Sequence, residues 1–330
     1  MVTVTILVFD YALSAAVMGI NDLLYFAGNH YARLNSRREG ALFNIRIASC
    51  DGQPIKIMNN LTLNPHCAIS DIEASDVYLV PTITGGIEKT LQKNPWLIEC
   101  LQKAADTDCL IGSNSNGSFF LAEAGLLENK QATTFWDDVN LFRERYPQID
   151  LRPDQLLIHD GNILCDAGGT AWFDLGLYLV ELFCDHQTAM DSAKYFLVDL
   201  ERSTQFSYSP LSSKKYHGDH IVRDIQQWME DHYNTNVRID DLCEQFGLSN
   251  RSLVRRFKQA TGITPLNYLQ DVRLDSASRL LVQSNQTIEK ITHEVGYEDI
   301  SSFTRLFKRR TGFSPSGYRA RFRAVHVPRN

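Results

Sequence analysis

Thr261-Gly262-Ile263-Thr264-Pro265 followed by Tyr268 recurs fifty residues later as Thr311-Gly312-Phe313-Ser314-Pro315 followed by Tyr318. Phe257-Lys258 recurs at the same offset as Phe307-Lys308, and Gly247 and Gly296 stand 49 residues apart. A fixed period of this kind means that one supersecondary unit is used twice. Two copies are too few for a solenoid, so the natural reading is a tandem pair.

Each copy carries the pattern of a helix-turn-helix. In the first, Ile239, Leu242, Cys243 and Phe246 make an apolar helical face. Gly247 ends that helix and Ser249 is the candidate N-cap of the next. Leu253 and Phe257 bury the second helix, which turns Asn250, Arg251, Val254, Arg255 and Lys258 outward. In the second copy Ile288, Ile291 and Val295 form the face, Gly296 the turn and Asp299 the cap. Phe303 and Phe307 are the anchors, leaving Ser301, Thr304, Arg305 and Lys308 exposed. A short helix, a glycine turn and a second helix with basic outward residues is the geometry that sets side chains in a major groove. Arginine pairs bidentately with guanine, and serine or threonine reaches base edges or phosphate. A helix over Pro265–Val282 would hold the two units at a fixed separation, and one over His220–His232 would pack across the first.

Charge supports that reading only when the chain is divided. The whole chain of 330 residues carries −6. Residues 219–330 hold 17 Lys and Arg against 13 Asp and Glu, a net of +4, while the remainder holds 16 against 26, a net of −10. A basic third on an acidic body suits a module that meets phosphate. Between them the Ser-rich stretch 202–218 has no apolar period and reads as a linker.

Residues 219–323 resemble the DNA-binding domain of the AraC/XylS family of transcription regulators. The run Ile288-Glu289-Lys290-Ile291, Val295-Gly296-Tyr297, Ser302-Phe303, Arg305, Phe307-Lys308-Arg309-Arg310, Gly312-Phe313-Ser314-Pro315 and Tyr318-Arg319 follows that family's signature almost throughout. The resemblance implies double-stranded promoter DNA as partner, with two recognition helices in successive major grooves about 34 Å apart. Carried over by position, Arg251, Val254 and Arg255 read bases in the first unit, and Ser301, Thr304 and Arg305 in the second.

The first two thirds read as an α/β domain. Compact apolar runs at Val2–Phe9, Phe43–Cys50, Val77–Val80 and Cys109–Gly112 alternate with amphipathic stretches. Those stretches lie near Leu13–Gly28, Pro95–Ala105, Ser118–Leu127, Asp137–Tyr146 and Thr170–Phe183. Strands alternating with helices predict a doubly wound, mostly parallel sheet of flavodoxin-like type. Ligands of such sheets sit outside the carboxyl ends of the strands. That points to Asp10–Ala12, Pro81–Gly86, Ser113–Gly117 and Ala167–Gly169.

Ser113-Asn114-Ser115-Asn116-Gly117-Ser118-Phe119-Phe120-Leu121-Ala122-Glu123-Ala124-Gly125-Leu126-Leu127 is similar to the strand-to-helix elbow of the PfpI / class I glutamine amidotransferase-like superfamily. Ala132-Thr133-Thr134-Phe135-Trp136 and Asp166-Ala167-Gly168-Gly169 with Asp174 match its regulator branch, the GlxA-type proteins, which fuse such a domain to an AraC-type tail. The resemblance places Ser115 where the enzymes carry cysteine and Phe135 where they carry histidine, and Ala15-Ala16-Val17 occupies the region of the expected acid. A serine hydroxyl needs an adjacent base to ionise, so no enzyme activity is expected; the alternative is an amidotransferase-like enzyme using Ser115. A Ser- and Asn-rich elbow suits a carboxylate or a polar metabolite through free N–H groups. The candidate effector-binding residues are Pro81, Thr82, Ser115, Asn116, Gly117, Phe135, Trp136 and Gly168. The resemblance further implies a nitrogenous effector and a homodimer formed through this domain.

Seven scattered cysteines without a C-x-x-C pair predict neither a disulfide framework nor a zinc site. His66, His159 and His186 lack partners at metal-ligand spacing, so neither metal nor cofactor is expected. No uncharged apolar run approaches the ~18–20 residues of a membrane helix. No basic segment precedes an apolar one before Arg33, so the expected setting is the reduced cytoplasm. The expected organisation is an effector-sensing domain at 1–201, a linker at 202–218 and a DNA-binding domain at 219–330.

Overall fold

The computed structural model describes residues 1–35, 42–198, 205 and 219–323. The chain divides into two compact units, Met1–Gln205 and Phe206–Asn330. No helix among the described residues is long and apolar enough to cross a membrane.

The strands of the first unit are β1 (Val2–Leu7), β2 (Phe43–Ser49), β3 (Ile55–Lys56), β4 (Thr62–Leu63), β5 (Cys67–Ala68), β6 (Val77–Val80), β7 (Leu110–Asn114), β8 (Gln131–Ala132), β9 (Asp150–Leu151), β10 (Leu157–Asp160) and β11 (Ile163–Asp166). Seven of them form one sheet in the order β10-β11-β7-β6-β1-β2-β5. Every neighbouring pair is parallel except β10 with β11. All four residues of β6 are buried, as expected of a strand covered on both faces. The helices are α1 (Ser14–Leu34), α2 (Ile87–Lys93), α3 (Pro95–Ala105), α4 (Ser118–Glu123), α5 (Val139–Arg145), α6 (Trp172–Phe183) and α7 (His186–Tyr195).

This is the mostly parallel, doubly wound sheet that the alternating pattern predicts. From β1 the chain builds outward to β2 and β5, then returns to the other side for β6, β7 and β11. The order therefore reverses between β1 and β6, and the carboxyl ends of these two strands flank the crevice where such sheets bind ligands. Several local features differ from the sequence reading, three of them near the elbow or the linker. The hairpin β10–β11 is new, formed by two four-residue runs either side of Gly161-Asn162. α4 stops at Glu123 rather than continuing to Leu127, with Gly125 at φ 77° close behind it. Gln205 falls within the expected linker, yet it is buried in the first unit, where its Nε2 donates to Thr134 O at 3.0 Å. The rest of 202–218 lies outside the described residues.

The second unit consists of α8 (His220–His232), α9 (Ile239–Gln245), α10 (Asn250–Thr261), α11 (Pro265–Gln283), α12 (Ile288–Glu294), α13 (Ile300–Thr311) and α14 (Pro315–Phe322). It has two cores. Leu242, Leu253 and Phe257 pack with Tyr268, Leu269 and Val272 of α11. Ile291, Phe303 and Phe307 pack with Leu274, Ala277 and Leu281 of the same helix. α11 is thus the shared wall of both cores of the second unit, and its 19 residues span ~28 Å at 1.5 Å per residue.

The sequence repeat is a structural repeat in detail. Thr261 and Thr311 donate to the carbonyls of Phe257 and Phe307 at 2.7 and 2.8 Å. Gly262 and Gly312 follow in the left-handed region at φ 75° and 80°, where glycine carries no Cβ penalty. Thr264 and Ser314 cap the next helices, each with proline in its first turn. Tyr268 and Tyr318 then pack edge-on to Phe257 and Phe307 at 5.5 and 5.4 Å.

Candidate functional sites

In the second unit, Ser249 and Asp299 are the N-caps expected of them. Ser249 Oγ accepts from Ser252 N at 3.3 Å and Asp299 Oδ1 from Ser302 N at 2.7 Å. The preceding turns hold Gly247 at φ 62° and Gly296 at φ 85°. These caps fix where α10 and α13 begin, and hence which residues face out. Asn250, Arg251, Arg255 and Lys258 are exposed on α10, with Val254 half-buried. Ser301, Arg305 and Lys308 are exposed on α13, with Thr304 half-buried. The guanidinium groups of Arg251 and Arg255 make no ion pair among the described residues, while Arg305 donates to Ser302 Oγ at 3.3 Å. Two arginines of the same helices do structural work instead. Arg256 bonds Asp219, which caps α8, at 2.5 Å. Arg310 lies 3.5 Å from Asp271 on α11, whose carboxylate is 1% exposed.

In the first unit, β7 ends in the elbow. Ser115 sits at φ 60°, a left-handed conformation uncommon for a residue with a Cβ. Ser115 is 2% exposed, and its neighbours leave no room for larger groups. A Cβ on Gly168 would lie 2.4 Å from Ser115 Oγ, and one on Gly117 would lie 2.7 and 2.8 Å from the carbonyls of Val80 and Pro81. Pro81 is buried at the carboxyl end of β6, and Thr82 beside it donates to Asn114 Oδ1.

The sequence reading places Asn116 among the candidate effector-binding residues, and the structure engages its side chain with the protein. Its Oδ1 accepts from Ile83 N at 2.8 Å, and its Nδ2 donates to Ile83 O at 3.2 Å and Asp138 Oδ2 at 3.0 Å. That side chain buttresses the loop after β6 and has little capacity left for a ligand. Phe135 and Trp136 are half-buried, with ring centroids 4.7 Å apart. They adjoin the elbow through Thr134, whose hydroxyl donates to Ser115 O at 3.3 Å and accepts from Ser118 Oγ at 3.0 Å.

Two residues here take roles that the sequence does not assign, although Asp166 stands in one of the matching motifs. Asp166 ends β11 fully buried, with Oδ1 accepting from Asn114 Nδ2 at 2.6 Å and from Gly168 N at 2.8 Å. Its Oδ2 has no hydrogen-bond partner among the described residues. Burial raises this carboxyl to about 7, against the lowering effect of its hydrogen bonds. An acid therefore does reach the elbow, from β11 rather than from the first helix–strand unit; the one signal in the sequence is a charged residue closing an otherwise apolar run. Gln205 is the second, contacting Thr133 and Thr134.

At the crevice between β1 and β6 lies a cavity of about 390 Å³ bordered by Asp10, Tyr11, Gly85, Gly86, Lys89 and Lys93. Tyr11 stands at φ 67° and is held there by Tyr11 N to Lys56 O at 2.7 Å and Thr84 N to Tyr11 O at 2.8 Å. Asn116 therefore links the elbow to this cavity wall through Ile83 and Thr84. No group of three or more His, Cys, Asp or Glu among the described residues could hold a metal ion.

Residues 242–321 match the family described as Helix-turn-helix domain, and residues 26–182 match the DJ-1/PfpI family. The chain is 30% identical over 290 residues to the HTH-type transcriptional regulator CdhR of Pseudomonas aeruginosa, covering 87% of this chain and 85% of that protein. It is 23% identical over 275 residues to the HTH-type transcriptional regulator GbdR of the same species, covering 83% and 74%. A crystal structure of an AraC family transcriptional regulator from Pseudomonas putida shares the fold at a TM-score of 0.50 and 21% identity, over 59% of this chain and 100% of that one.

Proposed function

Because the chain belongs to the AraC-type transcriptional regulators that carry a DJ-1/PfpI domain, we propose that α10 and α13 read promoter DNA under the control of a small molecule held at the carboxyl ends of the sheet. The observation that carries this reading is the equivalence of Arg255 and Arg305. They are exposed at matching positions of the two repeats, on helices fixed by a common wall. Arg251, Arg255 and Arg305 supply base contacts, with Val254, Ser301 and Thr304 beside them, and Asn250, Lys258 and Lys308 supply phosphate contacts.

The effector site comprises Ser115, Gly117 and Gly168 at the elbow, Pro81 and Thr82 beside it, and Phe135 and Trp136 as its half-buried wall. The cavity next to Tyr11 lies beside this site at the reversal of strand order, bordered by the loops that follow β1 and β6. Asn116 shapes this site rather than touching the ligand. A residue held at positive φ stores strain, which marks functional loops, and both Ser115 and Tyr11 are of this kind.

The elbow geometry of Ser115 is that of a nucleophile, which keeps an enzymatic reading in view. Against it, Phe135 has no proton chemistry, and no imidazole bonds Ser115 among the described residues. Ser115 is therefore a binding group, and the domain senses without turnover. The ligand acts by favouring one of two arrangements of the regulator, which is a homodimer.

The test is fluorescence anisotropy of the full chain on DNA selected by the protein from a random library. Affinity that falls steeply with salt and drops on Arg255→Ala and Arg305→Ala supports the reading. Salt-insensitive affinity that neither substitution changes overturns it.

A further inference from the structure

We propose that the first unit holds a second small-molecule site, at the amino ends of β6 and β7, that takes a compact organic cation with an apolar body. A cavity of about 630 Å³ lies there, between the segment leading into β6 and helix α3. That volume is within the usual range for metabolite pockets. It is at the opposite end of the sheet from the elbow, since Asp76 precedes β6 whereas Pro81 follows it.

The floor is apolar and aromatic, formed by Tyr78, Trp96, Cys100 and Cys109. Tyr78 is 8% exposed, and its hydroxyl makes no hydrogen bond among the described residues. Tyr78 lines the cavity and its hydroxyl is not among the fully buried atoms, so it opens onto the cavity and is available to a ligand. Burial raises it to about 12 and the Cys100 thiol to about 11, so the floor is uncharged at neutral pH. The Trp96 N–H is already spent on Asn94 Oδ1 at 3.1 Å, which leaves its ring for contact.

The rim is charged and one-sided. Glu73, Asp76, Glu99 and Asp108 are exposed around the opening, against Lys103 alone. Carboxylates around a low-dielectric floor concentrate cations, and an aromatic face adds cation–π attraction. A metal ion does not suit the site, because these acids do not converge into a ligating group. An anion would meet the rim's repulsion. An amine on a flat or alkyl body satisfies both layers, with its ring or chain on Trp96 and Tyr78 and its ammonium among the carboxylates.

The test compares benzylamine, benzyl alcohol and benzoate with the full chain at constant ionic strength, read by thermal shift and tryptophan fluorescence. The expected order of affinity is benzylamine, then benzyl alcohol, then benzoate. Glu73→Gln with Glu99→Gln, both exposed and isosteric, should weaken benzylamine roughly tenfold, the loss of two charge contacts of surface strength, with no change for benzyl alcohol. Tyr78→Phe should weaken benzylamine several-fold. Equal affinity for benzylamine and benzyl alcohol, or benzylamine affinity untouched in the double variant, would overturn the proposal.

Discussion

Asn114 and Asp166 are register partners on β7 and β11, and the amide of the first donates to the carboxyl of the second at 2.6 Å. This buried pair stands one residue before Ser115 and two before Gly168, so it ties together the two loops that form the elbow. Burial lifts the Asp166 carboxyl from 3.8 to about 7. The folded chain therefore keeps a proton that the unfolded chain has lost between those values. Stability from this group is full below about pH 4 and is lost as pH rises through 7, at about 1.4 kcal/mol per unit of pH while only the folded state is protonated. Asp166→Asn removes that dependence. Melting temperatures from pH 5 to 8 should fall more steeply for the parent protein than for the variant, and parallel curves would contradict the assignment.

Gly168→Ala places a methyl group 2.4 Å from Ser115 Oγ at a residue whose φ is 98°. Since Ser115 is itself locked at positive φ, the elbow must shift. Expected are a loss of about 1–3 kcal/mol in stability and a loss of effector response, with operator binding by the second unit retained. Denaturant unfolding and DNA binding on the same preparation check both halves.

Arg255→Ala and Arg305→Ala should each weaken operator binding by about 1–3 kcal/mol and relax preference at one base pair. Lys258→Ala should instead weaken all sequences alike and reduce the slope of log affinity against log salt by ~1. A titration series over salt separates the two classes. If Arg255→Ala behaved as Lys258→Ala does, α10 would be meeting backbone rather than bases.

Arg310 belongs to α13 but points back to Asp271, with 24% of its side chain exposed. Removing it leaves a carboxylate with 1% exposure on α11 without its guanidinium. Arg310→Ala should cost roughly 2–4 kcal/mol, near the lower part of the range for broken buried pairs because one partner is partly solvated. It should also weaken DNA binding more than its own contacts explain, because α13 loses its tie to the shared helix. Unfolding and anisotropy measured together distinguish this from simple loss of a phosphate contact.

The second unit was almost fully legible in the sequence because its signals are local. Thr261, Gly262, Thr264 and Pro265 specify a helix end, a left-handed residue, a cap and a first turn within five positions, and Thr311 to Pro315 do so again. The alternating runs likewise showed the central strands of the first unit. The elbow was only half legible, because its geometry is assembled across strands. Asn114 meets Asp166 at a separation of 52 residues and Asn116 meets Ile83 at 33. A polar residue at a strand end looks the same in sequence whether it faces a ligand or, as Asn116 does, a backbone loop. β10 and β11 are not legible for a related reason: four-residue runs carry too little period to separate strand from turn.

The proposed engagement of two major grooves by α10 and α13 is tested most directly by shifting their half-sites on the DNA. In a selected operator, insertion of about 5 base pairs between the half-sites turns the second to the opposite face of the duplex, whereas about 10 restores the face. Because α11 is one continuous helix joining both cores, the rigid pair predicts a loss of binding at the half turn. Affinity unchanged by that insertion would contradict simultaneous engagement of two major grooves.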